Sequence, residues 1–400
     1  MSREFATLSF AALSFFLSYG VIAPVLPRYV EKVLGGSTAT VGLVAGALAI
    51  GAVVSRPRIG RIGDRKGRRW LLRFGSGVTS CALLAQLLAD SVPSMLAIRL
   101  IAGVGQAAMF VGSTSLAVDL APPSRVGEAA SYVLVANNVG VGTGPLIGDL
   151  LRRSVGYDGV WIAAAAAAGV AFVLVLTLPA RLPAPRAALA PGEVARPVKA
   201  FHPAGLRPGI VLGFGMLGIT GFYAFIPLFG DKVGMHNVAP VFLLSSMTIV
   251  VVRLIFRRLP DRAGPIRTAT VALGFLAAGM AGFGFVHSSG GVYAMTFVLA
   301  IGGALFMPGL LPAAVDIVPE DERSSALATF TLFIDLSAGV GGVVFGAIAG
   351  ATSYGTAFLS AGVMTLVALL LLYVVVAPHL KRGARVVELG ELEPGTTRTN

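Results

Sequence analysis

The sequence predicts an all-α membrane protein with twelve transmembrane helices in two six-helix bundles that are related by pseudo-two-fold symmetry. Three observations lead to this fold class: an apolar composition, a series of long apolar segments, and an internal repeat. Of the 400 residues, 56% are hydrophobic and only 12% are charged, and the mean hydropathy is +0.84. So few charged side chains cannot cover the surface of a water-soluble chain of this length. Most of that surface must therefore face lipid.

The apolar segments have the length of membrane spans, since a transmembrane helix needs about 20 mostly apolar residues. The first segment lacks a small-residue cleavage site, so we expect a retained helix rather than a signal peptide. On this criterion the sequence predicts helices at 5–30, 39–56, 70–90, 94–118, 127–150, 157–179, 208–230, 237–256, 267–287, 290–315, 324–349 and 353–377.

The distribution of basic residues predicts the orientation, because Lys and Arg accumulate in cytoplasmic loops. If the N-terminus is cytoplasmic, all but six of the 31 basic residues fall on the cytoplasmic side. The pattern predicts a multi-pass protein of the bacterial inner membrane with both termini in the cytoplasm. The six exceptions are Arg28, Lys32, Arg99, Arg152, Arg153 and Lys232.

A Pro-, Ala- and Arg-rich segment without helical periodicity separates six spans from six. Such composition is typical of a linker. We therefore predict an N-terminal bundle at 1–179, a cytoplasmic linker at 180–206, a C-terminal bundle at 207–379, and a disordered cytoplasmic tail at 380–400.

An internal repeat supports this division. The segment SRPRIGRIGDRKG (55–67) recurs in weaker form as VRLIFRRLPDRAG (252–264). The same offset pairs Arg56 with Arg253 and Asn138 with Asp335. Two halves in the same orientation follow, and in proteins with parallel repeats the substrate path runs between the halves.

The segment after the second predicted helix suggests a gating loop. Its glycines allow a sharp turn, and Asp64 can accept hydrogen bonds from a helix N-terminus while nearby arginines bind carboxylates. Such contacts could lock one conformer. The alternative is that the basic residues only fix the topology. The predicted gating residues of the two copies are Gly60, Asp64, Arg65, Gly67, Arg68, Asp261, Arg262 and Gly264.

This segment resembles the motif G-x-x-x-D-R-x-G-R-R of the major facilitator superfamily. The second copy has Arg257 in place of the first glycine. The resemblance extends over essentially the whole chain and implies the fold of that superfamily, with a central cavity lined by helices 1, 4, 7 and 10.

The fifth predicted helix carries Gly140, Gly144, Pro145 and Gly148. Glycines four residues apart share one helix face and allow another backbone to approach closely, while proline removes a hydrogen bond. The pattern GxxxGPxxG resembles the motif of antiporters and drug exporters in the superfamily, which favours export. The alternative is tight packing without directional meaning.

Two residues are candidates for proton coupling. Asp335 is predicted near the middle of the eleventh helix, where an isolated carboxylate is costly to ionise and could load and release a proton. Alternatively, the carboxyl group stays protonated or hydrogen-bonds to Asn or Tyr and serves only helix packing. Its repeat mate, Asn138, favours this packing role. Arg99 resembles an arginine near the proton route of related exporters, but it could also snorkel to the membrane surface.

The helices that would line the cavity offer aromatic and thioether side chains, which suit an amphipathic solute. They carry no deep acid that would select a cation. Each residue could instead contact lipid or pack. The candidates are Tyr19, Gln106, Met109, Phe110, Tyr223, Phe306 and Met307.

The predicted function is secondary active export of a small amphipathic drug or metabolite by proton antiport with alternating access. The alternative is a proton-coupled importer or metabolite symporter of the same fold. The sequence has no GxxxxGK[ST] phosphate loop for ATP, and its histidines lack metal-ligand spacing. We therefore expect no enzyme activity, cofactor, metal site or nucleic-acid partner. The expected partners of this monomer are the substrate, protons and the lipid bilayer.

Overall fold

The computed structural model describes residues 3–121, 126–179, 202–235, 237–256, 259–315, 318 and 323–380. These residues form helices and no β-strand. The α-helices are α1 (Arg3–Ile22), α2 (Leu26–Lys32), α3 (Thr38–Lys66), α4 (Arg68–Ala85), α5 (Val92–Leu120), α6 (Val126–Leu176), α7 (Pro203–Lys232), α8 (Ala239–Ile255), α9 (Leu259–Ala263), α10 (Pro265–Phe283), α11 (Ser289–Leu310), α12 (Pro312–Val315), α13 (Arg323–Ala351) and α14 (Tyr354–Leu371).

The helices supply twelve membrane spans. Ten stretches of the described chain are long and apolar enough to cross a membrane. One of them, Val135–Leu176, has 42 residues, about twice the length of one crossing. Non-helical backbone at Gly156 divides it, so this stretch crosses twice. The 17-residue apolar helix α8 adds a further crossing. The predicted number of spans is therefore confirmed for the part of the chain that the structure describes.

Two helix boundaries differ from the sequence prediction. The first span is broken between α1 and α2, where Pro24 lacks a backbone N–H group. The second span does not end at residue 56 but continues as α3 to Lys66. Arginine and lysine are good helix formers, so a helix continues past its apolar part into the polar region.

The first helix defines the two ends of the bundle. We call the end at which α1 begins the near end, and the opposite end the far end. Neighbouring helices with short connections run antiparallel. The end of α2 and the beginning of α3 therefore lie at the far end, and the connection from α3 to α4 lies at the near end.

The repeat extends to the backbone conformation. Gly67, between α3 and α4, has φ 88° and ψ 162°, and its repeat mate Gly264, before α10, has φ 79° and ψ 163°. Side chains larger than hydrogen are strained at such positive φ angles. The glycines of the two copies are therefore required by the same turn in both halves.

The interior and the outer surface of the helices are both apolar. Aromatic rings fill the C-terminal half; Phe283, for example, lies 5.1 Å from Phe358 and 6.2 Å from Phe229, measured between ring centroids. Large apolar side chains are also exposed, among them Leu88, Leu254 and Phe285. Exposure of such residues along the spans fits a lipid environment.

Candidate functional site

The two halves contact each other mainly along two helix pairs, α3 with α13 and α6 with α8, and less extensively where α2 and α3 meet α7. In the first pair, glycines allow the backbones to touch: a Cβ atom added to Gly346 would lie 3.0 Å from the Cα of Gly42. In the second pair, a Cβ atom on Gly142 would lie 2.8 Å from the Cβ of Ser246. The glycines of the α3–α13 contact are Gly42, Gly46, Gly339, Gly342 and Gly346.

An ion pair joins the halves within the α3–α13 contact. The Nη2 atom of Arg56 lies 2.5 Å from the Oδ2 atom of Asp335, and each side chain is about one-fifth exposed. The Arg56 guanidinium also lies over the ring of Phe110, 5.4 Å from its centroid, a favourable cation–π distance. Asp335 and Leu336 line an apolar groove of about 310 Å³ between the two helices.

This geometry corrects two expectations for Asp335. The carboxylate is not isolated, and the side chain that holds it is an arginine rather than Asn or Tyr. Arg56 stands out in the sequence only as the repeat mate of Arg253 and as one of the basic residues of the cytoplasmic side. It reaches Asp335 because α3 continues for ten residues beyond it and because the glycine contact brings α3 close to α13.

A second set of charges joins the halves at the far end. Arg28 on α2 is buried, with Nη2 2.6 Å from Asp231 Oδ1 on α7 and Nη1 3.5 Å from Asp149 Oδ1 on α6. Lys32 Nζ lies 2.9 Å from Asp231 Oδ2. Arg28 Nη2 also donates to the Pro227 carbonyl oxygen at 3.2 Å. We call this set the far-end ion cluster; its members are Arg28, Lys32, Asp149, Arg152, Arg153 and Asp231.

The sequence alone does not predict this cluster. Arg28 and Lys32 stand out in the sequence only as exceptions to the orientation rule, and nothing local pairs them with Asp149 or Asp231. The sequence does contain a signal for it, because opposite charges occur at the same depth on spans of different halves. Charges in membrane spans are expected to pair with one another, so that coincidence could have suggested the contact.

The predicted gating residues lie mostly on helices. Gly60, Asp64 and Arg65 belong to the last turns of α3, and only Gly67 forms the turn. Arg262 is an exposed residue of α9, and Gly264 forms the corresponding turn. The expectation of a loop from Gly60 onward is therefore corrected. The side chains of Asp64 and Asp261 lie outside the described part of the structure.

Basic residues of the same motif hold the near ends of the N-terminal helices together. Arg68 Nε lies 3.5 Å from Asp119 Oδ2 at the end of α5, and both side chains are largely buried. Arg69 Nη2 donates to the Leu176 carbonyl oxygen at the end of α6 at 2.8 Å. These contacts tie α4 to two other helices of its own half.

Arg99 lies in the interior of the N-terminal half. It is 5% exposed and occupies the same face of α5 as Gln106, seven residues later. Leu100 and Ile101, on other faces, are exposed. The Nε and Nη1 atoms of Arg99 have no hydrogen-bond acceptor among the described residues. The snorkelling alternative does not fit this burial.

The predicted cavity residues separate into two groups. Two of them are fully buried packing residues, which corrects their assignment to the cavity wall. The Met109 side chain is fully buried where the backbones of α5 and α4 meet, since a Cβ atom on Gly75 would lie 2.6 Å from the Met109 backbone nitrogen. The Phe306 ring fills the space above Gly215. The others are partly buried: Tyr19, Gln106, Phe110, Tyr223 and Met307.

Comparison with known proteins assigns the family. The family model described as Major Facilitator Superfamily matches residues 8–296 and 283–394. The chain belongs to the major facilitator superfamily. The uncharacterized MFS-type transporter YhhS of Escherichia coli is 28% identical over 369 residues, which cover 89% of this chain and 88% of that protein. An uncharacterized MFS-type transporter of Salmonella typhimurium is 24% identical over 375 residues, or 91% and 94% of the two chains.

Solved structures of the superfamily share the fold. The nucleoside transporter NupG superposes with a TM-score of 0.73 at 15% identity, over 94% of this chain and 99% of that chain. A bacterial homologue of the human lysosomal transporter Spinster gives 0.74 at 16% identity, over 97% and 99%. At these identities the likeness concerns the fold. The protein is a multi-pass membrane transporter of the MFS type.

The glycines of the fifth span join α6 to α1 of the same half. A Cβ atom on Gly140 would lie 2.7 Å from the carbonyl oxygen of Leu13, and one on Gly144 would lie 2.5 Å from the nitrogen of Val21. Gly148 likewise faces Val21. In this member of the superfamily the motif is thus a backbone contact between two helices, with Pro145 inside α6.

Replacing Gly144 by valine is expected to destabilise the folded protein, because the side chain would enter the backbone of α1. Overpacking of this kind typically costs about 1–3 kcal/mol. Thermal unfolding in detergent should show a lower midpoint. Gly274→Val is the matched control, since a Cβ atom on Gly274 has no neighbour within 4 Å. Equal midpoints for the two variants would contradict the close contact.

Proposed function

We propose that this transporter exports a small amphipathic molecule from the cytoplasm in exchange for protons, by alternating access. The observation that carries the proposal is the Arg56–Asp335 pair, which joins the two halves by a titratable group inside the spans. A proton on Asp335 removes the negative charge that holds Arg56, so protonation loosens one contact between the halves. Proton binding and conformational change are thereby coupled.

The far-end ion cluster provides the complementary contact. In the proposed orientation the near end is cytoplasmic and the far end faces the periplasm. Arg28 and Lys32 hold Asp231 across the halves, which closes the periplasmic end in this conformer. Rocking of one half against the other would break this cluster and open that end.

The gating motif is proposed to act at the cytoplasmic end. Arg68 and Arg69 tie α4 to α5 and α6. Since α4 follows α3 after a single turn residue, these contacts also restrain the end of α3. We assign Asp64, Arg65, Asp261 and Arg262 to a latch that forms when the cytoplasmic end closes. Gly60, Gly67 and Gly264 shape the backbone of the latch.

The partly buried candidates are proposed to contact the substrate. Tyr19, Gln106 and Phe110 lie in the N-terminal half, and Tyr223 and Met307 lie in the C-terminal half. Their mixture of rings, one amide and one thioether suits an amphipathic solute. Among the two coupling candidates, Asp335 is proposed to carry the proton, because arginine does not release its proton in proteins.

The direction of transport rests on the likeness of Gly140, Gly144, Pro145 and Gly148 to the antiporter-type motif. A proton-coupled importer or symporter remains the rival, and in that case these residues only join α6 to α1. The rival uses the same Asp335 chemistry, so the direction has to be measured.

Everted membrane vesicles test the direction. Vesicles from cells that overproduce the transporter should accumulate at least one member of a panel of small amphipathic solutes, measured by mass spectrometry, when the proton gradient is present. Vesicles from cells with the empty vector supply the control. Accumulation only in right-side-out vesicles would support the importer and overturn export.

A further inference from the structure

Arg99 is a buried cation to which no described carboxylate is paired. Its Nε and Nη1 atoms lack acceptors among the described residues although the side chain is only 5% exposed. Removing a charged group from water is costly unless a partner of opposite charge is present. An ionisable residue in a membrane span is for this reason expected to have a functional partner.

Among the side chains that the structure describes, the helices that pack against α5 offer no free carboxylate at this depth. Arg99 lies seven residues, about 10 Å, inside the far end of α5. Asp149 lies at a similar depth on α6, but its oxygens already contact Arg28, Arg152 and Arg153. The other acids of the N-terminal half lie towards one end of the bundle or the other: Glu4, Glu31, Asp64, Asp90, Asp119, Glu128 and Asp158.

Aromatic side chains begin next to this region and continue along the same face of α5. The Tyr19 hydroxyl donates to the Ala102 carbonyl oxygen at 3.2 Å, one turn along α5 from Arg99. The same face of α5 carries Gln106 and, about 16 Å along the helix from Arg99, Phe110, whose ring lies 6.4 Å from that of Phe16. An aromatic surface that begins one turn from a cation without an acceptor is complementary to an elongated molecule with a hydrophobic body and one negative charge.

We propose that Arg99 binds the anionic group of the transported molecule, and that the substrate class is therefore amphipathic organic anions. The inference rests on the proposed function in one respect, since it takes this interior face to be part of the substrate path. Arg99 then acts in substrate selection, while Asp335 carries the proton. Uncharged and cationic analogues of the same shape leave Arg99 unpaired and bind less tightly.

Binding to the purified full-length protein in detergent tests the proposal without a proton gradient. The probes are phenylbutyrate, the neutral phenylbutanol and the cationic phenylbutylamine, each followed by its effect on thermal unfolding. We expect phenylbutyrate to bind with the highest affinity. Arg99→Gln should weaken phenylbutyrate binding about tenfold to a hundredfold and leave phenylbutanol binding nearly unchanged. Arg99→Lys should restore part of the preference, and Arg267→Gln, an exposed charge in the other half, should retain all of it.

Three results would overturn the proposal. The three probes could bind equally well to the unaltered protein, or Arg99→Gln could keep the preference for phenylbutyrate. Chloride alone could stabilise the protein through Arg99 and exclude phenylbutyrate, which would identify the partner as an inorganic ion. Because binding is measured without transport, the anion preference can stand if export fails, and export can stand if the preference fails.

Discussion

Asp335→Asn is expected to leave the protein folded and to remove the dependence of transport on the proton gradient. Asparagine has nearly the shape of aspartate but cannot gain or lose the proton, and it holds Arg56 only through neutral hydrogen bonds. Coupling free energies between two sites are typically about 1–3 kcal/mol, or about 5- to 150-fold. We therefore expect gradient-driven proton movement, followed by pyranine trapped in proteoliposomes, to fall by a factor in this range.

The matched control is Asp158→Asn, which neutralises an exposed carboxylate of α6 at the far end of the bundle. Arg56→Gln should reproduce the loss, because it breaks the same pair from the other side. If Asp335→Asn shows normal pH-dependent flux, the residue serves helix packing and the proposed proton carrier is wrong.

Arg28→Gln is expected to shift the protein away from the conformer in which the far end is closed. The substitution leaves Asp149 and Asp231 without their common partner. Breaking a buried ion pair costs about 3–5 kcal/mol. We expect the lower end of this range, because Arg152, Arg153 and Lys32 remain beside the two carboxylates. A cost of about 3 kcal/mol changes the ratio of two conformers by roughly a hundredfold.

Labelling of a single cysteine can measure this shift. Cys81 is the only native cysteine and can be replaced by serine. A reporter cysteine at Gln106 on the interior face should react faster with a membrane-impermeant maleimide from the far side in Arg28→Gln than in the parent protein. Arg152→Gln is the control, because Arg152 contacts Asp149 only within its own half. Equal labelling of the Arg28→Gln variant and the parent would contradict the role of the cluster in closing the far end.

The fold could be predicted from the sequence because its main determinants are local. Apolar segments of membrane length define spans wherever they occur, and the repeat is visible from matching residues such as Gly67 and Gly264. The end of α3 was harder to predict, because the hydropathy falls after Arg56 although the helix continues to Lys66. Hydropathy reports the membrane boundary, and it does not report where a helix stops.

The site could be predicted only in part, because its contacts depend on how helices of different halves are aligned. Asp335 was identified from its depth alone, whereas its pairing with Arg56 requires the register of α3 against α13. Met109 and Phe306 were placed in the cavity wall for the same reason: the rotation of their helices is not visible in the sequence. Both lie on the helices expected to line a cavity, but small rotations decide whether a side chain faces that cavity or the neighbouring helix.

The glycines of α6 have a consequence for how the molecule can be followed spectroscopically. Gly140 and Gly144 join α6 to α1 through the backbone, whereas Gly142 meets the Ser246 side chain of the opposite half. Paired spin labels on α6 and α1 should therefore report one narrow distance distribution during turnover. Labels on α6 and α8 should report two populations, so α6 can serve as the reference frame for the motion of the C-terminal half.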